Sequence, residues 1–166
     1  LYHGWQYDTA GQCRYIPAHP DLDVPKTIKV RTFGVAESGG IVWGTFDAES
    51  EGAAPSPDLS GDITPLRTVF ADCPAALLVE RIPLTPLDGI TPDVKATAER
   101  VIEIGLGDVT LIAGVQPVAE REAALHIVAT GSPSADQLKR LAHWAEQLRR
   151  DAEQAATNEK IAEIAA

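Results

Sequence analysis

The chain has 166 residues, 45% hydrophobic and 23% charged, which suits one ordinary globular domain or two small ones. Its net charge of −10 makes nucleic acid an unfavourable partner, because a phosphate backbone repels such a surface. No stretch approaches the roughly 20 apolar residues of a membrane helix; no basic leader opens the chain, and two cysteines outside any metal-ligand spacing point to a reducing, cytoplasmic setting.

Near the start, Trp5-Gln6-Tyr7 is followed by Asp8-Thr9-Ala10-Gly11 and then by residues 12–16. Asp/Gly punctuation between two aromatic-rich runs predicts a β-hairpin. Residues 18–25 are proline-rich and read as an extended loop. Residues 29–33 alternate charged with apolar or β-branched side chains, the pattern of a half-exposed strand. Ser38-Gly39-Gly40 predicts a turn into another strand at 41–46. Residues 1–47 therefore read as a small antiparallel β unit. Residues 48–66 are rich in Pro, Ser, Gly and acids and read as a linker.

The pattern then changes. Residues 67–70 read as a short strand, and 75–81 as a second strand or a helix turn. Pro83, Pro86, Gly89 and Pro92 break any helix between them. Strands are predicted at 100–106, 109–118 and 123–130, with Val109, Leu111, Ala113 and Val115 on one face of the middle one. Ser134 and Gln137 form an S-x-x-Q capping box. Behind it Leu138, Leu141, Ala142, Ala145, Leu148 and Ala152 make one apolar helical stripe. The basic pairs Lys139-Arg140 and Arg149-Arg150 alternate with acids, as a solvated helix face does. A stripe of that length needs a sheet to cover it, so 67–166 is expected to be α+β with the helix lying on the sheet.

Tyr2-His3-Gly4-Trp5 with Tyr7-Asp8, then Gly11-x-Cys13, then Ile16-Pro17, resembles the second half of a Rieske iron–sulfur motif. More specifically, the block is similar to the Rieske domain of ring-hydroxylating and demethylating non-heme iron oxygenases, in their large terminal subunits. Residues 39–44 (GGIVWG) resemble the strand that closes that domain. The resemblance implies a [2Fe–2S] cluster with two Cys on one iron and two His on the other. His3 falls on the second histidine ligand, with Gly4 and Trp5 in the cluster loop around it; Cys13 and His19 fall on positions that do not bind iron. The paired cysteine would directly precede Leu1, and a C-x-H pair would lie further upstream. The sequence thus reads as a fragment opening between a ligand Cys and its His. One neutral imidazole cannot by itself hold two irons.

The same resemblance implies a second, helix-grip domain with a mononuclear Fe(II) held by two His and a carboxylate. It also implies electrons from a reductase or ferredoxin, an aromatic or apolar substrate, and often a homotrimer. Residues 70–80 loosely resemble the approach to the iron-bearing helix, and the strands and helix that follow resemble the end of that domain. The histidines, however, stand at 3, 19, 126 and 143, and no two are spaced as the helical iron pair. His126, between Leu125 and Ile127, and His143, beside Trp144, read as structural histidines. Cys73 reads as a small buried hydrophobe.

The expected fold is therefore α+β. It comprises a partial Rieske-type antiparallel β unit at 1–47, a linker at 48–66, and a shortened helix-grip-like sheet with a long C-terminal helix at 67–166. The expected function is that of a Rieske oxygenase component in O2-dependent hydroxylation or demethylation, the chain alone being inactive. The alternatives are a Rieske ferredoxin-type electron carrier, or a non-catalytic apolar-ligand-binding or assembly module.

Overall fold

The computed structural model describes residues 3–45, 61–98 and 100–165. Among these, 3–36 and 42–45 form one compact unit, and 37–41 with 61–165 another. No helix among the described residues is long and apolar enough to cross a membrane.

The predicted first hairpin is present. Strand β1 (Gln6–Tyr7) pairs antiparallel with β2 (Cys13–Tyr15), setting Tyr7 opposite Cys13. Strands β3 (Gly34–Ser38) and β4 (Ile41–Thr45) make a second hairpin across Gly39 and Gly40. Both glycines have positive φ, +62° and +70°, which a tight two-residue hairpin turn demands. The antiparallel β unit expected here consists of two two-stranded sheets. The expected strand at 29–33 reduces to one antiparallel bridge, Gln12 opposite Lys29.

The rest of the chain builds one five-stranded sheet and two helices. In order these are β5 (Ile63–Ala71), α1 (Ala75–Arg81), a 3₁₀ turn (Ile82–Leu84), β6 (Asp93–Ala98), β7 (Val101–Leu106), β8 (Val109–Ala119), β9 (Glu122–Thr130) and α2 (Ala135–Ala165). The sheet runs β5-β9-β8-β7-β6, antiparallel throughout. Strand β5 begins inside the stretch read as a linker, and residues 48–60 of that stretch lie outside the described residues. Residues 75–81 take the helical alternative. Pro117 sits within β8 beyond the first residue of β7, Val101 opposite Gly114, so among the described strands β8 pairs there with β9 alone.

Strand alternation sorts the sheet into two faces. Val109, Leu111 and Ala113 of β8, with Ala123, Leu125, Ile127 and Ala129 of β9, join one core with Leu141, Trp144, Ala145, Leu148 and Ala152 of α2. The capping box forms as predicted: the Gln137 N–H donates to Ser134 Oγ (3.3 Å), and the Ser134 N–H donates to Gln137 Oε1 (2.8 Å). Trp144 joins the stripe as well, at 3% exposure. Its indole Nε1–H donates to the Thr85 carbonyl at 2.7 Å. The Thr85 hydroxyl shares its proton between the Arg81 carbonyl oxygen (3.0 Å) and Asp151 Oδ2 (3.3 Å). The loop that follows α1 is thereby tied to α2 by satisfied polar groups, as burial requires.

Leu148 is fully buried between α2 and the sheet. Leu148→Ala is expected to lower stability by about 3–5 kcal/mol, from lost transfer free energy and the cavity left behind. Urea unfolding monitored by far-ultraviolet circular dichroism checks this.

Candidate functional site

The hairpin carrying the His3 motif is organised by side-chain-to-backbone bonds. Asp8 Oδ1 accepts the N–H groups of Ala10 (3.0 Å) and Gln12 (2.9 Å), closing an Asx-type turn. Its Oδ2 accepts from Arg14 Nε at 2.7 Å. The backbone N–H of Gln12 and the Arg14 guanidinium together hold the Asp8 carboxyl below its usual range. Gln12 Nε2 reaches the carbonyl oxygens of Pro25 (3.3 Å) and Ile28 (3.1 Å), while Cys13 N–H donates to Ile28 O and Val30 N–H to Gly11 O. The segment around 25–30 is thus stitched to β2 through its backbone. Gly11 has φ +75°, and a Cβ there would collide with the Val30 carbonyl oxygen, so only glycine fits.

His3 and Gly4 both lie in the left-handed region, at φ +65° and +62°. For His3 this is a sparsely populated conformation that surrounding structure has to maintain, and such residues cluster at ligand clamps. A Cβ on Gly4 would stand 3.3 Å from Pro17 Cγ, so the loop packs closely on the Ile16-Pro17 end of the motif. His3 is exposed, Gly4 half-buried, and Trp5 40% exposed. The fold therefore brings the motif's first residues against its last, with an imidazole at the surface. Cys13 is buried, its Sγ 3.8 Å from the Tyr15 carbonyl oxygen, and His19 is exposed in the following loop.

The other histidines are placed by the sheet. His126, in the middle of β9, lies opposite Thr68 of β5 and Gly114 of β8. Its Nδ1 is 3.0 Å from Thr68 Oγ1 and its Nε2 is 2.9 Å from Gln116 Oε1. The Gln116 oxygen requires the proton on Nε2, which leaves Nδ1 to accept from Thr68. This chain of side chains rivets three adjacent strands. Sequence spacing gave no sign of it, because its members come from three strands. His143 is exposed on α2. Cys73 is buried, and burial pushes its thiol up to about 11, which keeps it protonated.

These donors do not satisfy the groups that the motif implies. A [2Fe–2S] cluster of this kind takes two thiolates and two imidazoles, and His3 supplies one. No three or more His, Cys, Asp or Glu gather as a metal site among the described residues.

No known protein family profile matches the chain. Individual proteins do. Methylxanthine N1-demethylase NdmA of Pseudomonas putida is 45% identical over 47 residues, 28% of this chain and 13% of that protein. Oxidoreductase NdmD of Pseudomonas putida is 44% identical over 46 residues, 27% and 8% of the two. The solved structure of NdmA matches 92% of this chain and 60% of its own, with a TM-score of 0.66 at 18% identity. The chain is related to the Rieske non-heme iron oxygenases. Dicamba monooxygenase bound to dicamba shares the fold too, with a TM-score of 0.63 at 16% identity over 98% of this chain and 70% of that one. The α+β class with a long C-terminal helix is thus that of the Rieske oxygenase structures. The chain spans less than two thirds of the NdmA chain it matches.

Gly11→Ala is expected to destabilise the first unit by more than about 1 kcal/mol, since the new Cβ meets backbone at a positive φ; faster exchange of the Val30 amide reads this out. Burial lowers the His126 pKa below its usual 6.5. The unfolded chain therefore takes up this proton first as pH falls below 6.5, so stability is greatest above that value and declines towards acid. His126→Gln is expected to flatten the decline in urea midpoints measured between pH 7.5 and 5.5.

Proposed function

We propose that this chain is part of the terminal component of a Rieske-type oxygenase, acting in the O2-dependent hydroxylation or demethylation of an aromatic or other apolar ring compound. Its electrons come from a reductase or ferredoxin. In this reading residues 1–47 are the second half of the Rieske domain, His3 is a [2Fe–2S] ligand, and Gly4 and Trp5 shape the loop beside it. The observation that carries it is the sequence block YHGWQYD…GQC..IP, in which Gln6–Tyr7 and Cys13–Tyr15 pair as a hairpin. The exposed, left-handed His3 lies at its mouth, and Gly4 abuts Pro17. Two relatives that share the segment, NdmA and NdmB, are named for methylxanthine N1- and N3-demethylation. An imidazole in place of a thiolate removes negative charge from the iron it binds and so raises the potential, which suits a centre that accepts electrons.

A second reading, an electron carrier of Rieske ferredoxin type, is favoured by a different observation. The two imidazoles of the 61–165 unit occupy separate places, His126 within the sheet and His143 on exposed α2, rather than one site.

Protein made from the complete reading frame and purified without oxygen is expected to be red-brown, with the rhombic EPR signal of a Rieske centre. His3→Ala is expected to abolish that signal while leaving the circular dichroism of the remainder unchanged. A colourless, iron-free product, or a cluster indifferent to His3→Ala, rejects the proposal. Oxygen uptake coupled to an aromatic substrate separates the oxygenase from the electron carrier.

A further inference from the structure

We infer that the 61–165 unit binds no mononuclear iron with its own side chains and keeps its fold without metal. If the chain works as proposed above, the oxygen-activating iron is held by residues outside this unit.

A facial site for a non-heme ferrous ion takes two imidazoles and one carboxylate on a single metal. This unit has two imidazoles in all, His126 and His143. Leu125 and Ile127 point into the core shared with Leu141 and Trp144, so alternation sends His126 to the opposite face of the sheet. His143 rides on α2, on the helix side, and faces solvent. The sheet itself stands between the two rings.

The His126 ring is already engaged. Both nitrogens of His126 are within hydrogen-bond distance of partners, Thr68 and Gln116. Freeing either would break a contact that ties neighbouring strands. The three α2 carboxylates nearest the sheet are also engaged: Glu146 with Arg149 and Arg150, Glu153 with Arg149 and the Asp72 N–H, and Asp151 with Thr85 and Gln147. Between helices and sheet, Thr85 is the one buried polar residue among those described, and Trp144 fills the space beside it. Apart from the single Cys73 thiol that layer is packed hydrocarbon, too few donors for a cation.

The test uses the full chain, freed of metal with EDTA and titrated with ferrous ion under anaerobic conditions. Equilibrium dialysis gives iron per chain; amide NMR gives paramagnetic broadening. The expected result is an unchanged thermal midpoint with EDTA or iron, and no saturable broadening around His126 or His143. One-to-one binding that is lost on His143→Ala, a solvent-facing substitution, or on His126→Gln would overturn the inference. So would a unit that melts when iron is removed. Iron that binds and is lost only on His3→Ala leaves the inference standing and bears on the cluster instead, so the two proposals fail separately.

Discussion

The structure of the larger unit depends on a single constraint: a five-stranded antiparallel sheet has one face buried by one long helix. A strand buried on one side must alternate, and a one-residue slip would send its whole apolar set to the wrong face. The helix-facing set keeps its register across β8 and β9, with Leu111 and Ala113 paired across to Ala129 and Ile127 in the same core, while Ile112, Ala124 and Val128 are buried on the other face. The helix answers with residues three and four apart, Leu141, Ala145, Leu148 and Ala152. Everything else in the unit follows from that contact. Helix α1 covers the end of the layer with Leu77 and Leu78, and the Thr85 loop closes over Trp144. The same alternation parts His126 from His143.

How much of this was legible in the sequence follows from which residues are buried on which side. The stripe of α2 and its cap could be read directly, because helix periodicity and an S-x-x-Q box are local signals. The three central strands could be read because their apolar runs are long. Strand β6 could not: it is an edge strand behind Pro92, and its Asp93, Lys95 and Thr97 are exposed, so no burial pattern marks it. The start of β5 was hidden by Pro65, which sits at a break in the register opposite β9. The candidate site shows the same division. The motif residues were visible as a block, but the left-handed backbone at His3 and the docking of 25–30 onto β2 depend on contacts the sequence does not spell out. The Thr68–His126–Gln116 chain was invisible because its members are 10 to 58 residues apart.

The first unit is held together on other terms. Cys13 and Ile16 are its only buried hydrophobic residues among those described, while Trp5, Tyr7, Tyr15 and Phe33 are each at least 37% exposed. So small a core stabilises little. Order comes instead from the Asp8 turn, the Gln12 amide and the backbone fit at Gly11 and Gly4. An arrangement fixed by hydrogen bonds and glycines is sensitive to single substitutions at those points and tolerant elsewhere.

Helix α2 outlasts the sheet it covers. Ala156 is its last buried residue, and the Ala156 carbonyl oxygen receives Arg121 Nη2 from the β8–β9 turn at 3.3 Å. From Thr157 on, every described side chain is exposed, Ile161 and Ile164 included. The cooperative unit therefore ends at Ala156. Beyond it about two turns of helix depend on local propensity and i,i+4 contacts such as that of Gln154 with Asn158, which are worth only tenths of a kcal/mol each. In terms of folding, residues 157–165 are a passenger on the domain: they open and close on their own timescale, and cutting the chain at that point removes helix content without touching the core.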